Sequence, residues 1–321
     1  MNSRMRFIRT VGLLLAAAGI VAPSAIGQTT PYVYDFLRND YSARAAAMAG
    51  AFSSVPDDPG GLFYNPALLN TVDSTTDIAF TGFKHLLDIN SGSLVATTRM
   101  EGVGALGAGI TFNSYGTFER TDRTGNKVGE FGSRDLVLNL GWGTTLGEGF
   151  SAGVGAEALY SSIDTYSSFA LALNGGLFFQ DTAHNINAGL SILHLGTQVS
   201  TFDGVNEDLP LDLKLGVSHR LRGLPLLIAL DFSHLLDDSE DALSRFASFS
   251  VGGEFSLSKP LRLRLGYDNR IRQNVTFDGS KGLGGLSAGL GVAVDAYRFD
   301  YAFNSLAGLG GMHRVTLNAS F

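Results

Sequence analysis

Cysteine is absent from the 321-residue chain, so neither a disulfide framework nor a thiolate metal site or nucleophile is available. Long apolar runs are missing too. No stretch after the first 27 residues approaches the roughly 20 consecutive apolar residues of a membrane helix, although the hydrophobic content is 45% and the mean hydropathy is +0.14. Helical membrane proteins are therefore excluded. Basic charge is also scarce, because setting aside Arg4, Arg6 and Arg9 leaves 20 Lys+Arg against 30 Asp+Glu. That balance argues against a nucleic-acid partner. No HExxH or Glu-x-x-His spacing occurs, and "GLGGLSAGLG" lacks the Lys-Ser/Thr ending of a phosphate loop. The six dispersed histidines give no metal-ligand pattern, and no catalytic residue, cofactor site or metal site is expected.

The start of the chain reads as a signal peptide over 1–27: three arginines, an uncharged apolar run from Val11 to Ala22, then small residues at Ala25 and Gly27 before Gln28. Residues 28–74 are the least strand-like part of the remainder. From 75 to 321 about fourteen strands are expected, separated by turn signals, and many alternate strictly. In "LRLRLGYD" the leucines at 261, 263 and 265 oppose Arg262 and Arg264, and "YRFDYAFN" sets Tyr297, Phe299, Tyr301 and Phe303 against Arg298, Asp300 and Asn304. Such a strand has one apolar and one charged face. Fourteen apolar faces would overfill a soluble core, whereas a closed barrel turns them to lipid and satisfies every backbone group.

The fold class expected is therefore all-β, a 14-stranded antiparallel transmembrane barrel in which Arg262, Arg264, Arg298, Asp231 and Asp300 face the lumen. Link lengths support it: "EG", "LGEG", "DTAHN" and "SLSKP" alternate with longer polar segments such as "SYGTFERTDRTGNKVGEFGS" and "GTQVSTFDGVNED". Short periplasmic turns and long outer loops are the habit of outer-membrane barrels, so the location expected is the outer membrane of a Gram-negative bacterium. Glycine, at 41 residues, recurs within strands such as "GALGAGI", where it signals curvature or close backbone approach. The closing "HRVTLNASF" ends on Phe321, which resembles the C-terminal aromatic signal for barrel assembly. Trp142, Tyr160, Tyr267 and Phe321 are candidates for interfacial aromatic girdles.

Residues 28–74 need a place inside this barrel, and they read as a plug. Ser42 can cap a short alanine-rich helix through Met48 that Gly50 ends. "PDDPGG" is turn chemistry, and in "YNPALL" Pro66 holds Asn65 extended while Asn65 bonds nearby backbone. Asp57 and Asp58 could form a catalytic carboxylate pair, but between prolines they more often make a turn or meet lumen arginines. Arg44, Asp57 and Asp58 are expected to find opposite charges or hydrogen bonds in the lumen, with the arginine face of 261–265 as partner for the acids.

"SARAAAMAGAFSSVPDDPGGLFYNPALL" resembles the N-terminal signature of FadL-like barrels, in particular the PorV/PorQ family of the type IX secretion system. "GTFERTDRTGNKVGEF", "YSSFALA", "LRLGYDNR" and "FDYAFNSL" extend the resemblance over nearly the whole chain after the leader, in its PorQ-like form. Ala49 departs from it, since relatives commonly have glycine there. The resemblance implies a fourteen-stranded barrel without catalysis, a component of the secretion system that anchors a surface attachment complex in outer-membrane lipid. Its implied partners are a PorZ-like surface protein, with PorU- and PorV-like subunits. Two "TFDG" turns, Phe202, Asp203 and Gly204 in one and Phe277, Asp278 and Gly279 in the other, are candidate docking loops. A FadL-like transporter of hydrophobic small molecules is the alternative, which charged lumen positions disfavour and a lumen-side apolar patch would favour.

Overall fold

The computed structural model describes residues 32–85, 89–237, 244–275 and 281–321. The leader expected at 1–27, and Phe277, Asp278 and Gly279 of the second "TFDG" turn, lie outside the described residues.

Fourteen strands form where alternation and turn signals place them: β1 (Thr76–Lys84), β2 (Asn90–Met100), β3 (Gly104–Thr121), β4 (Lys127–Gly147), β5 (Phe150–Ile163), β6 (Tyr166–Asp181) and β7 (Ile186–Ser200). They continue as β8 (Asp212–Arg220), β9 (Leu226–Phe232), β10 (Phe249–Ser256), β11 (Leu261–Asp268), β12 (Leu286–Val294), β13 (Tyr297–Ser305) and β14 (Gly311–Ser320). Each pairs antiparallel with its chain neighbours, and β1 pairs with β14 in the register Phe80↔Leu317, which closes the barrel. Closure removes free edges from the wall. Phe321 exchanges backbone hydrogen bonds with Thr76, so the final residue is stitched to the first strand.

The two faces divide as the alternation requires. Leu263 and Leu265 are 42% and 69% exposed on the outside while Arg264 is 1% exposed inside. Ile78, Phe80, Leu94, Ile110, Leu138, Leu140, Leu173 and Leu317 continue the outer apolar surface around the barrel. Lipid on that surface is the environment in which their exposure costs nothing.

Short turns such as 101–103, 148–149 and 295–296 gather at one end, and longer links such as 201–211 and 233–248 at the other. One expected link is not a loop. The polar segment 114–133 continues β3 and β4 into a hairpin that projects past the wall, turning only at Asp122–Asn126. Phe118 stacks on Phe131 across it at 5.3 Å, and Lys127 bridges Glu119 and Glu130. Outside the bilayer a strand needs no apolar face, so its polarity concealed it.

Residues 32–75 run through the lumen. The chain begins at the long-link end, where the Tyr34 hydroxyl bonds Ser168 at the start of β6. It leaves at the short-turn end, where Asn70 donates to Thr145 at 2.7 Å and to Ser151 at 3.1 Å. Between them lies helix α1 (Ala43–Ala47), capped by the Ser42 hydroxyl and ended by Ala49 and Gly50 at φ 56° and 76°. Asp58 and Asn65 each cap a 3-10 turn opening with proline, accepting from Gly60 at 2.9 Å and Ala67 at 3.0 Å. Proline suits that first position because its missing N–H would have no partner there.

Candidate functional site: the plugged lumen

Glycines of the wall form the seat of the plug. A Cβ at Gly176 would collide with the Asn65 side-chain oxygen, at Gly153 with the Pro66 backbone, and at Gly189 with the Ser53 carbonyl. At Gly252 it would stand 2.6 Å from the Met48 side chain, and at Gly107 2.8 Å from Leu69. The strand glycines therefore serve close backbone approach, as their positions suggest. Asn65 fastens the arrangement, donating to Ser53 O and to Leu177 O of β6, each at 3.0 Å. Asp231 of β9 accepts the backbone N–H of Phe52 at 3.2 Å and of Ser53 at 2.8 Å.

A charge network ties the plug to β10, β11 and β13. Arg44 donates to Glu254 at 2.9 and 3.1 Å, to the carbonyls of Pro56 and Asp57, and stands 3.5 Å from the Asp58 carboxylate. Asp58 accepts from Arg298 at 2.5 Å, and Asp300 joins Arg298 at 2.8 Å to Arg264 at 2.6 Å. Arg264 closes the chain on Glu254 at 2.7 Å. Burial works against the Arg44 charge, but Glu254 and Asp58 outweigh it and hold the guanidinium above its ordinary pKa. Each charge here has a partner, and all but the partly exposed Arg298 are buried, so losing one partner would strand the other.

The expected pairing is corrected in detail. Arg44 and Asp58 do find charged partners, but the plug acid meets Arg298 of β13 and not the arginines of 261–265. Arg264 is already committed to Glu254 and Asp300, and Arg262 has no hydrogen-bond or ion-pair partner among the described residues. Asp57 turns its side chain to the exterior at φ 59° and contributes only its backbone, donating to the Thr71 hydroxyl at 3.1 Å. Gly50 faces Asp40, whose carboxylate accepts the Tyr64 hydroxyl at 3.0 Å. Sequence reasoning missed Glu254 and Arg314, both lumen-facing, although strict alternation from Phe255 and Val315 places them inward.

The outer half of the lumen holds no part of this charge network. Val137, Leu159, Ala170 and Ala172 form an apolar patch on the inner wall of β4, β5 and β6. Tyr34, Phe36 and Leu37 of the chain's first described turn cover it together with Leu209. This strap is pinned by Arg38, which donates to Asp237 at 2.6 and 3.0 Å, and by Gln198, which donates to the Tyr34 hydroxyl at 2.7 Å. A lumen-side apolar patch therefore exists, filled by the protein itself. On the rim, Phe202, Asp203 and Gly204 lie in the link 201–211, where Thr201 accepts from Gly204 at 2.9 Å in an ordinary turn.

No known protein family's sequence profile matches the chain, and no curated protein matches it in sequence. Solved structures do. The toluene transporter TbuX of Ralstonia pickettii superposes with a TM-score of 0.58 at 13% identity, over 86% of this chain and 97% of that one. The toluene transporter TodX of Pseudomonas putida gives 0.57 at 14% identity over 88% and 96%. A Pseudomonas aeruginosa FadL homologue gives 0.52 at 11% identity over 91% and 99%. At such identities the likeness concerns the fold alone. Closed topology, strand number and these superpositions together identify the fold as the FadL-like fourteen-strand outer-membrane barrel.

Proposed function

We propose that this outer-membrane barrel takes up small hydrophobic molecules through its long-link end. The observation that carries the reading is the apolar patch of Val137, Leu159, Ala170 and Ala172, which lies at the long-link end of the lumen beneath the strap of Tyr34, Phe36 and Leu37. A concave apolar surface with a few polar groups beside it is the usual form of a small-molecule site. The solved toluene transporters of the same fold support this reading more than any other. Uptake then requires Tyr34, Phe36 and Leu37 to leave the patch. Accumulation of radiolabelled toluene by cells with and without the protein tests it: loss of uptake in its absence is expected, and equal uptake would refute it.

A second reading rests on the PorV/PorQ-like motifs and on the sealed lower lumen. In it the barrel conducts nothing and catalyses nothing, and it anchors a PorZ-like surface protein of a type IX attachment complex, with PorU- and PorV-like subunits nearby. The plug's seating on glycines and its buried ion pairs suit a permanently closed barrel. Phe202, Asp203 and Gly204 are then rim candidates for docking, together with the projecting hairpin of β3 and β4, and Phe321 serves as the assembly signal. Cells lacking the protein would shed surface-attached cargo while toluene uptake stayed unchanged.

A further inference from the structure

We infer that the ligand of the apolar patch is a phenol, a single aromatic ring carrying a hydroxyl, and not a plain hydrocarbon; this rests on the uptake reading above and names its substrate class. The chain's own occupant shows the fit. Tyr34 is fully buried within the cluster of Val137, Leu159, Ala170 and Ala172. Its hydroxyl bonds Ser168 Oγ and accepts from Gln198 Nε2 at 2.7 Å. A ligand that displaces the strap inherits both the apolar surface and this polar pair.

Both polar residues belong to the wall and are fixed without the strap. Leu171 and Val199 face out, so alternation turns Ser168, Ala170 and Ala172 of β6 and Gln198 of β7 inward, with Gln198 opposite Ala170. Apolar floor and polar clamp are therefore contiguous. Ser168 donates to Ser200 O at 2.7 Å, while Gln198 donates to Ser168 Oγ at 2.9 Å and its Oε1 accepts from the Glu207 N–H at 2.7 Å. With its hydrogen spent on Ser200, Ser168 is left to accept from the occupant, and the second amide hydrogen of Gln198 is left to donate to it. A hydroxyl meets both demands. A hydrocarbon meets neither and leaves a buried amide N–H unsatisfied, which costs more than the bond it replaces is worth. A carboxylate has no hydrogen for Ser168, and its charge would be buried beside two residues that bond no cation among the described residues.

Titration calorimetry of the detergent-purified barrel with p-cresol and with toluene, which differ by one hydroxyl, tests the assignment once the heats of protein-free detergent are subtracted. Both ligands must open the same strap, so the ratio of their affinities reads the clamp. The expected result is p-cresol bound roughly tenfold tighter or more, as in sites built around a substrate hydroxyl, although toluene is the more hydrophobic. Gln198→Met and Ser168→Ala should each collapse that preference. Phe36→Ala loosens the strap and leaves the clamp untouched, so both ligands should bind more tightly at the same ratio. Heat-modifiability of each variant verifies that the barrel is intact. Equal affinities, or toluene the tighter, would overturn the phenol assignment and leave uptake of hydrophobic molecules standing. A preference that survives both clamp substitutions would overturn it too. Saturable binding of neither ligand would refute the assignment and the uptake reading together.

Discussion

Glu254 of β10 accepts both hydrogen bonds of a bidentate pair from Arg44 of the plug, Nε to Oε2 at 2.9 Å and Nη2 to Oε1 at 3.1 Å. The two residues are 210 positions apart, so this pair fixes the plug to a strand formed late in the chain. Glu254→Gln keeps the shape and removes the charge that balances Arg44 and Arg264. Breaking a buried pair in this way costs about 3–5 kcal/mol. The cost should fall on the plug, since the barrel is held by its own backbone ladder. Faster proteolysis within 45–60 and raised single-channel conductance are expected, with heat-modifiability unchanged.

Gly176→Val tests the seat independently of charge. A side chain there would meet the Asn65 oxygen that caps the following 3-10 turn. Overpacking of this kind costs about 1–3 kcal/mol, and the plug is the part free to shift. Plug protection in hydrogen exchange should fall, whereas Gly129→Val, in open space on the projecting hairpin, should leave it unchanged.

Ala49 occupies the left-handed region at φ 56°, which a Cβ disfavours by about 1–2 kcal/mol. Ala49→Gly should therefore slow exchange of the α1 amides, offset in part by the greater entropy of glycine in the unfolded chain. Unchanged or faster exchange would show that the strain is relieved elsewhere.

The strands were legible because each must show lipid one face and the lumen the other, which writes a period of two into Leu261–Leu265 and Tyr297–Phe303. The same logic failed over 114–133, where water lies on both sides and Thr117, Glu119 and Lys127 carry no such signal. In the plug, local chemistry was readable: Ser42, Asp58 and Asn65 cap what they precede. Long-range pairing was not. Nothing near Asp58 in the chain distinguishes Arg298 from Arg264, and only the prior claim of Glu254 and Asp300 on Arg264 decides it.

His85, just beyond β1, donates or accepts a hydrogen bond with Ser91 at 3.1 Å. Burial, then the nearby Arg314 cation, push its imidazole down to about 4. An unfolded histidine titrates near 6.5, so the folded state holds fewer protons between those values. Stability is therefore complete above about pH 6.5 and declines as pH falls toward about 4. Protection factors of the amides in 83–85 and 89–91, taken against the intrinsic exchange rate at each pH, should fall over that window in wild type and much less in His85→Asn.

The most direct test of the uptake reading places cysteines at Tyr34 and Ser168, in a chain that has no others, and joins them with a short thiol-to-thiol crosslinker. Binding of a hydrophobic fluorescent probe, N-phenyl-1-naphthylamine, is then measured on the purified barrel. Saturable binding to the uncrosslinked variant, abolished when the strap is tied over Val137, Leu159 and Ala170, is the predicted result. Saturable binding of equal affinity with the strap free or tied, or none in either state, would contradict it.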